Sequence, residues 1–218
     1  MKKRGDSAYN MVIVLALLCA AAGLALGGTY RVTRGRIEAQ KERERMAALR
    51  IVFPQVKKDG FREVSSPKSA FAAGGKYHEA YDDSGKLVGY ALEAAGTGYS
   101  STIRVTVGID AKAEEIRGIK ITFQQETPGL GANCEAVEVE ETLWDVLVGK
   151  REKTPAREPK FQAQFRGKNL DHFVKVGNKY QNIDGLTGAT ITTNAVTDAA
   201  VAAVKEFKKR ILKSSDAE

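Results

Sequence analysis

From Met11 to Gly28 the chain runs MVIVLALLCAAAGLALGG, 18 residues without a charge. At about 1.5 Å per helical residue this run spans about 27 Å, close to the thickness of a hydrocarbon core, and predicts a single membrane-spanning helix. Lys2, Lys3 and Arg4 before it and Ala20-Ala21-Ala22 within it also fit a cleaved signal peptide; the length of the apolar run favours a retained anchor. Bulky Leu18 precedes Cys19 where a lipoprotein signal needs a small residue. Over residues 31–53 Arg, Glu, Gln and Ala dominate, with Ile37, Met46 and Leu49 as sparse apolar positions. This predicts a solvated helix leaving the membrane, closed by Pro54.

Beyond a loop at 64–75 the pattern shifts to period two. Asp82-Asp83-Ser84-Gly85 is a hairpin signal ahead of a strand, LVGYALEA. Ile103, Val105, Val107 and Ile109 alternate with Arg104 and Thr106, and Ile119, Ile121 and Phe123 repeat the alternation after the connection DAKAEEIRG. A short helix is expected over 138–149 around Leu143, Trp144 and Leu147, then a polar, proline-containing linker over 150–159. The chain closes with a helix from about Thr193 to Leu212, striped by Val196, Ala200, Ala203, Val204, Phe207 and Ile211. Together these predict an α+β fold: an N-terminal transmembrane helix, then a mainly antiparallel sheet packed with helices.

Composition narrows the chemistry. The 218 residues contain two cysteines, one of them inside the apolar run, and two histidines, His78 and His172, far apart. A disulfide scaffold, a Cys-rich zinc site, a protein-borne iron–sulfur cluster and a multi-histidine metal site are excluded. The net charge of +7 belongs to the flanks: residues 1–10 carry +2, 29–58 carry +6 and 205–218 carry +2. Residues 59–204, with 17 basic and 20 acidic side chains, sum to −3. Nucleic acid is therefore a poor partner and membrane lipid a better one. Lys and Arg near the span number three before it and six after it. Read literally, that keeps the C-terminal domain in the cytoplasm, by a rule that is weak for long translocated domains.

Three loops could carry chemistry. Asp184-Gly185-Leu186-Thr187-Gly188-Ala189-Thr190 exposes backbone through small residues and places a hydroxyl near a helix start, where free N–H groups and the helix dipole favour a phosphate. Spacing alone fits an ordinary helix-capping loop as well. Gln125-Glu126-Thr127-Pro128-Gly129-Leu130-Gly131 contains a Pro-Gly turn whose glycines permit close approach to the backbone. Gly96-Thr97-Gly98-Tyr99-Ser100-Ser101 sets an aromatic ring in a glycine-rich loop.

In this order, Gly-Tyr at 98–99, Glu-Thr-Pro-Gly-Leu-Gly at 126–131 and Thr-Gly-Ala-Thr at 187–190 resemble the covalent FMN-binding domain family. That domain occurs in the G subunit of the Rnf ion-translocating electron transport complex and in the C subunit of the sodium-translocating NADH:quinone reductase. The compact spacing between anchor and domain is more similar to the Rnf protein. The resemblance divides the chain into a tail (1–10), a span (11–28), a charged juxtamembrane helix (29–58), the FMN-binding domain (59–212) and a final tail (213–218). DAKAEEIRG lacks the glycine usual in that family's hairpin, which affects only the turn.

The resemblance implies that Thr190 receives FMN through a phosphoester, made from FAD by a separate flavin transferase with a divalent metal, and that Asp184 belongs to the sequence this enzyme reads. It implies Thr187, Gly188 and Ala189 along the phosphate and ribityl chain. Glu126, Thr127, Gly129, Leu130 and Gly131 would lie at the isoalloxazine, with Leu130 on one ring face. Tyr99 is inferred on the other face, against the alternative of a core tyrosine. No residue is expected to be catalytic, and no metal is expected to be bound. The implied role is a redox subunit of a translocase, inactive alone and partnered by other membrane and peripheral Rnf subunits. Its domain would lie on the extracytoplasmic (periplasmic) side of the inner membrane. The alternatives are the quinone reductase protein, a membrane-anchored flavin sensor, and a colourless binding or assembly module.

Overall fold

The computed structural model describes residues 3–65, 76–137 and 158–209. The helix expected at 138–149 and most of the following linker lie outside the described residues. So does all but the start of the loop at 64–75, and Val64 and Ser65 belong to a strand.

The chain forms two units, Met1–Glu44 and Arg45–Glu218. The described residues of the first all lie within helix α1 (Lys3–Val52). Its apolar segment is long and apolar enough to cross a membrane, with none of it covered by protein. Thr29 and Thr33 turn their hydroxyls back onto the carbonyls of Ala25 and Thr29 at 2.8 Å, hiding polar groups just after the apolar run.

The second unit begins earlier than the charge pattern suggests. Leu49, Val52, Phe53 and Val56 recur at helical spacing and are all buried, with Ala80 and Ala91 of the sheet and with Met46, Phe61 and Val88 around them. The stretch expected to be a solvated spacer therefore ends as a core element. Its sparse apolar positions form a stripe only when Phe53 and Val56, on either side of Pro54, are counted with it.

Six strands follow one another in a single sheet: β1 (Phe61–Ser65), β2 (Lys76–Tyr81), β3 (Leu87–Thr97), β4 (Thr102–Asp110), β5 (Glu115–Phe123) and β6 (Lys168–Asn169), each antiparallel to its neighbours. The 82–85 turn forms as expected: Asp82 Oδ1 accepts from the amides of Ser84 and Lys86, both at 2.9 Å, and Gly85 has φ 77°. A short helix α2 (Lys160–Ala163) packs beside β5, and the two-strand hairpin β7 (Lys175–Val176) and β8 (Lys179–Tyr180) stands apart from the main sheet.

The last helix, α3 (Thr190–Phe207), lies on the face opposite the 49–56 stripe. Val196, Ala200, Ala203, Val204 and Phe207 are buried against Leu92, Ile103, Val105, Val107, Ile119 and Ile121. Phe207 closes the far end between Tyr77 and Tyr90, at 5.4 and 4.7 Å between ring centroids. At the near end a Cβ on Gly96 would strike the carbonyl of Ala195, so glycine lets α3 sit directly on β3. The sheet is thus covered on both faces, and α3 is held along its length.

The β4–β5 connection without a glycine places Ala113 at φ 53°, a conformation that L-residues other than Asn and Asp rarely adopt. Asp110 holds it there. Its Oδ1 accepts from the amides of Glu114 (2.6 Å) and Glu115 (2.8 Å), and its Oδ2 accepts from Lys112 at 3.3 Å. Asp110→Ala is expected to destabilise the detergent-solubilised chain by about 1–2 kcal/mol, read by thermal or urea unfolding, with Ala113→Gly in the same background recovering part of the loss. No recovery would mean that the turn is not strained.

Candidate functional site

Two of the three loops singled out in the sequence, and the helix that follows the third, meet around one carboxylate. Strand β5 ends at Phe123, and three residues later Glu126 turns inward to 6% exposure. Its Oε2 accepts from the Tyr99 amide at 3.1 Å, and its Oε1 accepts from the amides of Ser100 (3.0 Å) and Ser101 (3.1 Å). The Thr192 hydroxyl, in the first turn of α3, donates to Oε2 at 2.5 Å. Burial pushes the Glu126 pKa up, but the hydrogen bonds from Thr192, Ser100, Tyr99 and Ser101 outweigh it and hold the group below the ordinary carboxylate value.

This convergence requires glycine at two positions. A Cβ on Gly98 would lie 2.5 Å from Glu126 Oε1, and one on Gly131 would lie 2.6 Å from Thr192 Oγ1 and 2.9 Å from Glu126 Oε2. Gly131 therefore serves the convergence by leaving room for it. The turn between these residues is closed by the Thr127 carbonyl, which accepts from Leu130 and Ala132 at 3.2 Å, and by Asn133 Nδ2 on the Gly129 carbonyl at 2.9 Å. It leaves the Leu130 side chain 44% exposed and against Gly188, where an added Cβ would stand 3.0 Å from Leu130 Cδ2.

Helix α3 starts at Thr190, three residues before the position that its apolar stripe suggests. The N-cap is Ala189, which has no side chain to cap with. Thr193, rather than a threonine ahead of the helix, braces the loop: its Oγ1 accepts from the Leu186 amide at 3.0 Å and donates to the Ala189 carbonyl at 3.1 Å. The amides of Thr190, Ile191 and Thr192 have no acceptor among the described residues. Thr190 is exposed, and its hydroxyl makes no hydrogen bond among them.

A cleft of ≈ 320 Å³ opens beside Thr190, lined on the loop side by Thr187 and Gly188 and on the far side by Lys179, Tyr180 and Asn194. Lys179 is its one charged lining residue among the described residues, and no carboxylate or histidine of theirs lines it. Gly188, at φ 72°, turns the backbone into the helix here, a conformation that favours glycine. Asp184 lies outside the cleft with its carboxylate exposed, while its backbone is fixed by Gln164, which accepts from its amide at 2.7 Å and donates to its carbonyl at 3.1 Å.

Of the residues expected at the site, Thr187, Gly188 and Thr190 share the cleft, and Leu130 reaches it through Gly188. Tyr99 is 74% exposed, which removes the alternative of a core ring, but it does not line the cleft. Glu126 is consumed by protein donors, so its reach toward a ligand is through the loops that it ties. Cys134 is fully buried and its thiol is pushed up to about 12 by desolvation, then by Glu135 and Glu126, as suits a small core residue. Thr192, Lys179, Tyr180 and Asn194 escape the sequence reading, and Ser100 and Ser101 enter it only as members of the glycine-rich loop. Val176-Gly177-Asn178-Lys179 carries a turn signal that marks the β7–β8 hairpin, whereas nothing local announces Thr192.

The residues fit a flavin mononucleotide. Uncapped helix amides and a lone cation suit its phosphate, and exposed Leu130 and Tyr99 suit a planar apolar ring. The FMN-binding domain family matches residues 98–205, from the Gly98 loop almost to the end of α3. The G subunit of the ion-translocating oxidoreductase complex of Aliivibrio fischeri (strain MJ11) is 31% identical over 205 residues, covering 90% of this chain and 88% of the relative. The G subunit of the proton-translocating ferredoxin:NAD(+) oxidoreductase complex of Clostridium ljungdahlii is 27% identical, covering 94% of each chain. Among solved structures, the C subunit of the Na(+)-translocating NADH-quinone reductase from Parabacteroides distasonis is similar with a TM-score of 0.48 and 20% identity, over 78% of this chain and 92% of that one.

Folding stability that depends on ionised Glu126 is complete above the ordinary carboxylate pKa of about 4.3 and is lost as pH falls through its lower folded value. Glu126→Gln should therefore cost about 3 kcal/mol at neutral pH, and the gap from wild type should narrow on acidification. Melting curves of the two proteins from pH 7 to pH 3 provide the test. A gap independent of pH would show that the charge contributes nothing.

Proposed function

The chain belongs to the family of G subunits of ion-translocating oxidoreductase complexes, and from that premise we propose that it is the membrane-anchored electron-transfer subunit of such a complex, carrying FMN on Thr190. The observation that carries the reading is the start of α3. An exposed threonine opens a helix whose first amides have no acceptor among the described residues, beside a cleft that they line with a single cation and no anion. A capping loop would have satisfied those amides from within.

Attachment joins Thr190 Oγ to the phosphorus of the FMN half of FAD. The anhydride P–O bond breaks, AMP departs, and the hydroxyl proton passes to a base on a separate flavin transferase, whose divalent metal neutralises the phosphates. A cleft lined by no described carboxylate or histidine fits a base supplied from outside. Asp184, exposed on a braced backbone, is presented for that enzyme to read.

Thr187, Gly188 and Ala189 run along the phosphate and ribityl chain. Leu130 covers one ring face. Tyr99, on the loop held by Glu126, stacks on the other. When bound, FMN supplies one- or two-electron transfer; the chain's own residues hold the group and limit its exposure to water. The sequence has too few cysteines for a cluster, so electrons arrive from and leave to other members of the complex. Helix α1 anchors the chain in the inner membrane, with the flavin domain on the extracytoplasmic side.

Co-expression with a flavin transferase should give a chain heavier by one FMN by intact mass, with flavin fluorescence that survives denaturation in a gel. Thr190→Ala should abolish both and Thr190→Ser should retain them. A colourless wild type under the same conditions would return Thr190 to a plain helix start.

A further inference from the structure

We propose that Lys179 is the counter-charge of the cofactor's phosphoester and that the β7–β8 hairpin is braced in order to hold it at the cleft. This rests on Thr190 being the attachment point. A hairpin of two residues per strand is marginal by itself, and here it is tied to α3 on both sides of Lys179. Before it, the Asn178 carbonyl accepts from Asn194 Nδ2 at 2.6 Å. After it, the Tyr180 hydroxyl donates to Asp198 Oδ1 at 2.6 Å.

Lys175 completes the brace. Its ammonium lies 3.0 and 2.8 Å from the two Asp198 oxygens and 5.3 Å from the centre of the Tyr180 ring. Asp198 is thereby neutralised by its own partner. Lys179 is different: it lines the cleft with Thr190, and its ammonium has no ion pair or hydrogen bond among the described residues.

The charge count matches a phosphoester. A phosphate linking two alcohols carries one negative charge, and the described residues offer the cleft one cation, no carboxylate and the uncapped amides of α3. A second observation points the same way. Asn194 lines the same cleft one turn beyond Thr190, and its Oδ1 is buried without a donor among the described residues, an acceptor that a hydroxyl of the bound group would satisfy. Lysine acts here as a point charge on the phosphate rather than as a planar fork, so arginine should substitute and a neutral residue should not.

The test uses the full-length chain in detergent with FAD and the transferase, comparing wild type with Lys179→Ala, Lys179→Glu, Lys179→Arg and Thr190→Ala. Flavin attachment is followed by intact mass. Holo and apo forms are then compared by melting temperature at low and high salt, and the phosphoester by its phosphorus-31 resonance. Lys179→Ala should slow attachment about fivefold, shrink the flavin-dependent rise in melting temperature and move the phosphorus resonance. Lys179→Glu should do more, and Lys179→Arg should restore all three. Salt should erode the wild-type rise but not that of Lys179→Ala.

An unchanged resonance and rise in Lys179→Ala would overturn the assignment. So would an apo form weakened as much as the holo form, which would make Lys179 merely structural. Flavin that attaches to wild type, is lost in Thr190→Ala and is indifferent to Lys179 removes this proposal alone. A wild type that takes no flavin removes the Thr190 reading with it.

Discussion

A buried carboxylate that stays ionised needs donors around it, and Glu126, fixed by its own turn, draws them from two other segments: the amides of residues 99–101 and the Thr192 hydroxyl at the head of α3. An uncompensated charge at that depth would cost several kcal/mol, so the loops are not free to drift apart while Glu126 remains charged. Each then has its exposed side chain placed as a consequence. Tyr99 follows its own amide, Leu130 follows the turn, and Thr190 lies two residues before the hydroxyl that closes the set. The glycines at 98 and 131 serve the same interaction by leaving room for it.

The sheet supplies the rigidity that this arrangement needs. With α3 packed along β3 and β4 on one face and the 49–56 stripe on the other, the strands that lead into the Gly98 and Glu126 loops have little freedom to shift. Helix α3 does two tasks at once. Its apolar stripe anchors it, while Thr190 at its start is exposed and its first amides have no acceptor among the described residues. The structure thus keeps an unsatisfied helix start at the one place where the family motif puts its last threonine.

Electrostatics at the cleft run against the average of the domain. Residues 59–204 are mildly acidic, yet no described carboxylate lines the cleft, and the nearby Asp198 is occupied by Lys175 and Tyr180. The positive character of the cleft is a local property, set by helix amides and one lysine, and neither the net charge nor its distribution along the chain reveals it.

The apolar run at 11–28, the alternation at 103–109 and 119–123, the Asp82–Gly85 turn and the motif pair at 126–131 and 187–190 are legible in the sequence, because periodicity and turn chemistry are local properties of consecutive residues. The start of α3 is not, since the stripe marks where a helix is buried and not where it begins. The 45–56 segment became core because Gly89 of β3 and Gly108 of β4 leave room on the sheet for Phe53 and Val52. The meeting of Glu126 with residues 25 to 27 positions upstream and 66 positions downstream, and the bracing of the β7–β8 hairpin by Asp198, were decided by the tertiary structure alone. Which donors a carboxylate finds depends on how the sheet and α3 are packed, and no spacing along the chain encodes that.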